Sequence, residues 1–369
     1  MKIRCEKSVL CDAASVVSRA VSSKSPMPVL EGILLRAKNG LIELFGYDLD
    51  LGISTSIEAQ VEKEGEIVLP AKVMLDIVRK LPGEFVTLSV GEKCLTEIKS
   101  GVSEFTILGM SAEEFPEFPS IGEVTDFEIA QNALKSMIDQ TSFAISQSDA
   151  KPIHTGSLFE IKEGFLSVVS VDGYRLALRK ERVLFDKDMS FVIPGRALSE
   201  VSKVLDDTSD ELVGMQISRK NIILNVGSFK IFSRLLEGDF LDYNAAIPKG
   251  KNIEVKVNTR EFINAVERVS LLISDRIKSP LRVKFIEDEI TLNCSTALGK
   301  ATDTINAKIE GGALEMGFNN RYLLDALRAS QCDEIKLQIS GPLSPMKVVP
   351  VDSDYFTFLV LPVRLKSEV

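Results

Sequence analysis

The sequence contains no tryptophan and only one histidine, His154. A single imidazole excludes any site that needs several histidines, such as a multi-histidine metal centre. The glycine-rich patterns that cradle nucleotide phosphates are also missing. Ser-x-x-Lys occurs at residues 148–151 and 344–347, but the Ser-Asp-Asn and Lys-Thr-Gly partners of that serine-nucleophile family do not occur. We therefore predict a protein that is not an enzyme and needs neither a cofactor nor a metal.

Paired cysteines and long apolar runs are absent as well. The five cysteines are odd in number and scattered, without a Cys-x-x-Cys pair, so we expect no metal site and no disulfide from Cys5, Cys11, Cys94, Cys294 and Cys332. No apolar run approaches the roughly 18 residues of a membrane helix. The first residues lack the apolar core of a secretion signal. We expect a cytoplasmic protein.

One helical segment occurs three times. It reads PAKVMLDIVRKL at residues 70–81, PGRALSEVSKVL at 194–205 and NNRYLLDALRAS at 319–330, with offsets of 124 and 125 residues. Each copy places basic, acidic and basic residues on one helix face and apolar residues opposite. The proline that starts the first two copies predicts a first helical turn. The apolar positions include Met74, Leu198 and Leu323, and the basic ones are Lys72, Arg79, Arg196, Lys203, Arg321 and Arg328.

A second series of landmarks supports the repeat. Amphipathic stretches near residues 7–21, 131–145 and 259–273 each lead to a proline, with a serine six residues before it; the prolines are Pro28, Pro152 and Pro280. Short alternating segments, such as 41–45, 165–169, 222–226 and 290–293, are typical of antiparallel strands. We predict an α+β fold of three tandem units with boundaries at 1–123, 124–250 and 251–369.

The net charge of −9 argues at first against nucleic acid, because phosphate binding depends on lysine and arginine. The charge is unevenly distributed, however. The six predicted helices, with the fourth counted over residues 194–206, together carry +4, which leaves −13 for the rest of the chain. An ordinary solvated helix face is one explanation. If three such units closed into a ring with the helices inside, the hole would be positive and could contact phosphates without reading bases.

The residues also resemble a known family, the bacterial sliding clamps, which are the β subunits of DNA polymerase III. The resemblance extends over essentially the whole chain. It is carried by residues 25–32 (SPMPVLEG), 171–176 (VDGYRL), 238–243 (GDFLDY), 317–325 (GFNNRYLLD) and 361–365 (LPVRL). It implies three copies of a DNA-clamp domain, with helices inside and antiparallel sheets outside, in a head-to-tail homodimeric ring around duplex DNA. A clamp loader would open the ring, which would then tether the replicative polymerase and other replication and repair proteins.

The resemblance also implies a hydrophobic cleft for partner peptides between the second and third domains. Position by position, it would use Val171, Gly173, Tyr174, Arg175, Leu176, Leu241, Ala246, Tyr322, Leu343, Leu359, Leu361, Pro362, Val363 and Arg364. His154 stands where leucine is common in the family, Leu241 where proline is common, and Ala245 and Ala246 are smaller than usual. These departures concern the peptide preference of the cleft.

Two further surfaces follow from the resemblance. On the DNA side we expect Lys24 together with the repeated helix cations named above. The dimer contact would join the first domain of one chain to the third domain of the other, through Phe105 and Ile107 on one side and Leu272 and Ile273 on the other.

Three other classes of protein would leave different traces. A hydrolase or nuclease with an unrecognised site would need converging acids or a metal and would show turnover. A repeat scaffold that binds only protein would not distinguish circular from linear DNA. A sequence-specific regulator would need base-reading side chains on an exposed helix, and none is visible in the sequence.

Overall fold

The computed structural model describes residues 1–119, 122–274 and 279–365. The first repeat comprises β1 (Lys2–Glu6), α1 (Lys7–Val17), β2 (Gly32–Lys38), β3 (Leu41–Tyr47), β4 (Leu51–Glu58), β5 (Gln60–Lys63), β6 (Gly65–Pro70), α2 (Ala71–Lys80), β7 (Phe85–Val90), β8 (Leu95–Ser100) and β9 (Ser103–Leu108). The second comprises β10 (Thr125–Ala130), α3 (Gln131–Thr141), β11 (Gly156–Lys162), β12 (Phe165–Val171), β13 (Arg175–Arg182), β14 (Met189–Pro194), α4 (Gly195–Ser202), β15 (Leu212–Ile217), β16 (Asn221–Val226) and β17 (Phe229–Arg234).

A short helix, α5 (Tyr243–Ala246), precedes the third repeat. That repeat comprises β18 (Ile253–Asn258), α6 (Thr259–Ser270), β19 (Leu281–Ile286), β20 (Glu289–Thr296), β21 (Gly299–Asn306), β22 (Lys308–Glu310), β23 (Leu314–Phe318), α7 (Asn320–Ser330), β24 (Glu334–Ile339), β25 (Met346–Pro350) and β26 (Phe356–Val360). Each repeat is therefore one strand, a helix, four or five strands, a helix and three strands, which confirms the predicted α+β fold.

The six predicted helices are all present, because each has an apolar stripe that the core buries. Met74, Leu198 and Leu323 are fully buried, as predicted. The first helix of the first two repeats ends earlier than predicted and continues as a short 3₁₀ turn. The predicted position of the two prolines is wrong by one residue. Pro70 and Pro194 end β6 and β14, where strand pairing holds the backbone extended, and the helix begins at the next residue.

The strands of each repeat form two sets. In each repeat, four strands that lie between the two helices in the chain form the first set. The second set combines the strand before the first helix with the three strands after the second helix, and β5 and β22 extend it at the edge in the first and third repeats. Within a sheet, β4 of the first repeat pairs with β17 of the second, and β13 of the second pairs with β26 of the third. We call each of these two pairings between repeats a joint. Each joint connects the first strand set of one repeat to the second strand set of the next.

The chain divides into two compact units, Met1–Asn132 with Glu200–Leu235 and Ala133–Ser199 with Leu236–Val369. The middle repeat is shared between them, because its two strand sets belong to different sheets. The eight-stranded sheet of the first unit has the order β10-β15-β16-β17-β4-β3-β2-β6, and the nine-stranded sheet of the second has the order β14-β11-β12-β13-β26-β25-β24-β18-β22. This division follows the continuous sheets, whereas the predicted domain boundaries follow the repeat and stay a prediction.

Candidate partner-binding cleft and associated surfaces

The predicted cleft residues of the second unit include three that meet on one face of the nine-stranded sheet. Strand pairing sets Val171 opposite Leu176, and Leu176 opposite Leu359. Directly paired residues of antiparallel strands share a face. All three are buried in one apolar cluster with Tyr243, and Ala246 packs against that cluster. The structure therefore brings together an apolar floor from the second and third repeats.

Large apolar side chains of the same predicted cleft remain exposed to solvent. Tyr174 is 60% exposed and Leu343 is 68% exposed, whereas large apolar side chains of this kind are usually buried in the core. Leu241, Leu361 and Val363 are exposed as well. Exposed apolar patches on a folded protein mark sites of interaction, since leaving such surface in water is unfavourable.

The turn between β12 and β13 is built by Asp172 and Gly173. One carboxylate oxygen of Asp172 accepts hydrogen bonds from the backbone N–H groups of Tyr174 (2.9 Å) and Arg175 (3.0 Å). Gly173 has φ +90°, a conformation that disfavours residues with a side chain. This local sequence turns the Tyr174 side chain out into solvent at the start of β13.

Arg175 connects this turn to the third repeat. Its Nε donates to Asp172 Oδ2 at 2.9 Å, and its Nη1 donates to Asp325 Oδ2 at 2.5 Å. The guanidinium lies 4.6 Å from the ring centre of Tyr322 and 5.5 Å from that of Phe143. With only 11% of its side chain exposed, Arg175 depends on these two carboxylates to compensate the loss of water.

Two tyrosines stack beside Arg175. The rings of Tyr174 and Tyr322 lie 5.8 Å apart at an angle of 25°. Burial of the Tyr322 ring, followed by the negative charge of Asp172, raises the pKa of its hydroxyl. The hydroxyl therefore stays protonated near neutral pH and can donate a hydrogen bond to a ligand.

The C-terminal segment is held against the same region. Leu361 donates its backbone N–H to the carbonyl of Tyr174 at 2.9 Å, and Val363 donates to the carbonyl of Gly317 at 2.8 Å. A side chain at Gly317 would lie 2.6 Å from Leu365 and 2.7 Å from the Val363 carbonyl, so glycine is required there. Two predicted cleft residues follow Leu361 and Val363 along this segment, the half-buried Pro362 and the exposed Arg364.

Residues 237–246 form a further wall. Asp242 caps α5 by accepting backbone hydrogen bonds from Asn244 and Ala245. The hydroxyl of Tyr243 donates to Glu160 Oε2 at 2.5 Å. Burial, together with the hydrogen bond and charge of Glu160, raises the pKa of Tyr243 to about 12.

Replacing Tyr243 with phenylalanine is expected to lower the free energy of unfolding by about 1–2 kcal/mol, because Glu160 loses its donor. Since the pKa of Tyr243 lies above its ordinary value of about 10, the stabilisation is present below pH 10 and is lost as the pH rises toward 12. Urea denaturation measures the first effect and a difference titration of tyrosine absorbance the second. Tyr174→Phe, which alters an exposed hydroxyl, is the control and should change neither.

His154 lines a cavity of about 450 Å³ beside this wall, with Phe240 and Leu241 among its other lining residues. Its ring meets that of Phe240 edge-on at 5.2 Å. Burial, and then the positive charge of Lys151, lowers the pKa of His154. The imidazole is therefore neutral at neutral pH.

We expect nuclear magnetic resonance titration to give His154 a pKa below the ordinary value of about 6.5. The measurement is unambiguous because the chain has one histidine. Lys151→Ala should raise that pKa, since it removes a nearby positive charge. A lowered pKa also means that the fold loses stability as the pH falls below about 6.5. A measured pKa above 6.5 would contradict the burial of the ring.

The cations predicted to face DNA all lie at the surface. Lys24 and the six repeated helix cations are exposed. Some of them have internal partners: Lys203 Nζ is 2.8 Å from Glu200, Arg328 Nη2 is 2.6 Å from Glu267, and Arg79 donates to Ser15. The two carboxylates weaken the positive charge that Lys203 and Arg328 present.

Of the residues predicted for self-association, Phe105 and Ile107 lie in the edge strand β9, whereas Leu272 and Ile273 follow α6 and are not in a strand. β9 and β21 occupy the positions in their repeats at which β17 and β26, or β4 and β13, pair with a strand of another repeat. Within the described residues, however, β9 and β21 are edge strands with no pairing partner on that side. Phe105, in β9, is 42% exposed. Ile107 is half-buried, as are Leu272 and Ile273, which pack against the core of the third repeat after α6.

Leu271 is a residue that the sequence reasoning missed. It is 83% exposed directly after α6. Counted from the start of its helix, Leu271 corresponds to Phe143, whose ring packs edge-on at 5.3 Å against Phe358 of β26. That correspondence was available from the repeat alone. Phe143, Asp172 and Asp325 around Arg175 were also missed, because their contacts join residues far apart in the chain.

Residues 1–119, 122–274 and 279–365 contain no group of three or more histidine, cysteine or acidic side chains that could hold a metal. Within the same ranges, no helix combines the length and the apolar character needed to span a membrane.

Comparison with known families gives matches along the chain. The family models of the DNA polymerase III beta subunit match in order: the N-terminal domain at residues 1–119, the central domain at 128–242 and the C-terminal domain at 244–364. A protein of Bacillus subtilis (strain 168) named beta sliding clamp is 35% identical over 378 residues, which cover 99% of this chain and 100% of the relative.

Solved structures are similar as well. The crystal structure of a DNA polymerase sliding clamp from Bacillus subtilis has a TM-score of 0.95 at 34% identity, and the match covers 99% of this chain and 100% of that one. A sliding clamp from Pseudomonas aeruginosa, solved with griselimycin bound, has a TM-score of 0.93 at 27% identity, with the same coverage. Both matches include all three repeats.

Proposed function

Because the chain belongs to the family of DNA polymerase III beta subunits, the beta sliding clamps, we propose that two copies join head to tail into a ring around duplex DNA. As a member of this family the chain is a processivity subunit and not a polymerase. The ring keeps the replicative polymerase and other partners on DNA. It acts in the cytoplasm, where a clamp loader opens and closes it.

The joints between repeats carry this proposal. Twice within the chain, the first strand set of one repeat pairs with the second set of the next. Within the described residues, the first strand set of the third repeat pairs with no later repeat, and the second set of the first repeat pairs with no earlier one. A second copy of the chain supplies both missing partners if β9 of each copy pairs with β21 of the other. Pairing of this kind removes two exposed strand edges.

The internal joints also predict the register of the closing joint. Phe105 holds the position of Ile231 and Phe358, as counted through the strand pairings of each repeat. Ile231 faces Ile53, and Phe358 faces Ala177. By the same count Phe105 faces Ala301 of the second copy. Ile231 and Phe358 are fully buried whereas Phe105 is not, which supports burial of Phe105 by a partner.

The repeated helix cations support the DNA side of the proposal. They are exposed, they recur in each repeat, and two of them, Lys203 and Arg328, are partly neutralised by nearby carboxylates. Weak, sequence-independent contacts to phosphates let a protein slide along DNA. A ring that is topologically linked to DNA needs no tight grip.

The cleft on the second unit supports the tethering role. It combines a buried apolar floor, formed by Val171, Leu176 and Leu359, with the exposed apolar side chains of Tyr174 and Leu361. An extended peptide with a few apolar residues fits such a surface, since the floor supplies pockets and the exposed side chains of Tyr174 and Leu361 supply contact area. Partners that share such a peptide would compete for it.

Loading onto nicked circular DNA tests the proposal. With a bacterial clamp loader, ATP and a clamp known to be loaded as positive control, we expect this protein to stay on the circle through gel filtration. Cutting the circle should release it rapidly. Equal retention on circular and linear DNA would mean ordinary surface binding, and no retention despite a competent loader would favour a scaffold that binds only protein.

A further inference from the structure

A single row of side chains crosses the cleft floor and continues beyond it. The apolar residues Val171, Leu176 and Leu359 are paired across β12, β13 and β26. Leu359 is paired in turn with Lys347 of β25. Since directly paired residues point to the same face, the ammonium-bearing side chain of Lys347 lies beside Leu359. The apolar floor therefore ends in a cation one strand away, about 5 Å across the sheet.

The row ends in groups that are already occupied. Lys347 is paired with Gln338, and Gln338 with Glu254. Glu254 accepts hydrogen bonds from Gln338 and from Lys251, and these contacts lower its pKa. The row continues from Glu254 to Glu310 of β22, which forms an ion pair with Lys308 at 3.3 Å. Both carboxylates of the row are thus engaged by other donors.

Lys347 itself has no such partner. Among the described residues it forms neither an ion pair nor a side-chain hydrogen bond, although it is half-buried. Burial, and then the positive charge of Lys251, lowers the pKa of Lys347. A partly desolvated cation beside a second cation is unfavourable unless an anion joins them.

We propose that Lys347 is a specificity-determining residue of the cleft, which binds the side-chain carboxylate of an aspartate or glutamate in a partner peptide whose apolar residues rest on Leu359 and Leu361. The inference rests on the proposed function, because it assigns a preference to the same cleft. Leu361 lies two residues beyond Leu359 in the chain and is exposed. An acidic residue next to the docked apolar side chain would therefore reach the ammonium group.

Capped synthetic hexapeptides built from leucine, phenylalanine and serine test this inference. In each peptide of the series a different position carries either aspartate or asparagine. The caps on both ends remove the terminal charges. For the tightest-binding peptide we expect aspartate to bind about fivefold to tenfold more tightly than asparagine, as measured by fluorescence polarisation at low salt. The advantage should shrink as salt is added.

The variant Lys347→Met should abolish the preference for aspartate over asparagine, because a thioether cannot pair with a carboxylate. Lys347→Arg should retain the preference. Lys284→Met, which removes an exposed lysine from another sheet of the same unit, is the matched control and should behave like the unmodified protein. Equal melting temperatures would exclude a merely structural effect of these substitutions.

The outcomes separate this inference from the proposed function. Peptides that bind the cleft with no preference for aspartate, or a preference that survives in Lys347→Met, would overturn the role of Lys347 and leave the cleft intact. Failure of every peptide to bind, with aspartate or asparagine, would overturn the cleft itself and the inference with it.

Discussion

Replacing Phe105 with glutamate is expected to convert the protein from dimer to monomer and to raise the dissociation constant at least about 100-fold, or nearly 3 kcal/mol. The ring of Phe105 occupies the position that is fully buried at both internal joints. A carboxylate there would be buried against apolar side chains without a cation, which is costly. Sedimentation over a range of protein concentrations measures the change, and retention on circular DNA should be lost together with the dimer.

Val102→Glu is the matched control for this experiment. Val102 is fully exposed in the turn before β9, so the same change of charge should leave the dimer intact. The register has its own test: Phe105→Cys combined with Ala301→Cys should give a disulfide-linked dimer on mild oxidation, because paired residues bring their β-carbons within bonding range. A Phe105→Glu protein that remains dimeric would refute the closing joint.

Replacing Arg175 with methionine is expected to lower the free energy of unfolding by about 3 kcal/mol. The substitution keeps an apolar stem but leaves Asp172 and Asp325 without their shared cation. It also removes the guanidinium from the ring of Tyr322. We therefore expect faster hydrogen exchange in α7 and weaker peptide binding by the cleft.

The control for this substitution is Arg182→Met, at the exposed end of the same strand. It should change the stability by no more than about 0.5 kcal/mol. Urea denaturation followed by circular dichroism suits both variants, since the chain has no tryptophan to report by fluorescence. An Arg175→Met protein as stable as the Arg182→Met protein would mean that the two carboxylates are solvated well enough without their partner.

Sequence reasoning predicted the repeat because a repeat leaves regular spacing in one dimension. The helical periodicity located α2, α4 and α7 to within a residue or a few residues, and it assigned Met74 and Leu323 to the core. The alternating segments located strands such as β12 and β16. These features depend on neighbours along the chain, which the sequence displays directly.

The joints between repeats could not be predicted in this way. The pairing of β13 with β26 joins residues more than 170 positions apart, and a strand carries no mark of the distant strand it will meet. For the same reason the partners of Arg175 and the position of Lys347 beside Leu359 emerged only from the register. The motifs indicated which residues belong to the cleft, and the sheet pairing determined which of them touch.

The edge strands β9 and β21 are different from each other, so the association proposed for this chain is heterologous. A heterologous contact has no built-in stop: it yields a closed circle only when the rotations of successive joints add up to a full turn, and otherwise an open filament. Part of that rotation is set inside the chain, where β4 meets β17 and β13 meets β26. A substitution that shifts an internal joint would therefore favour filaments over closed circles without changing a single residue of β9 or β21.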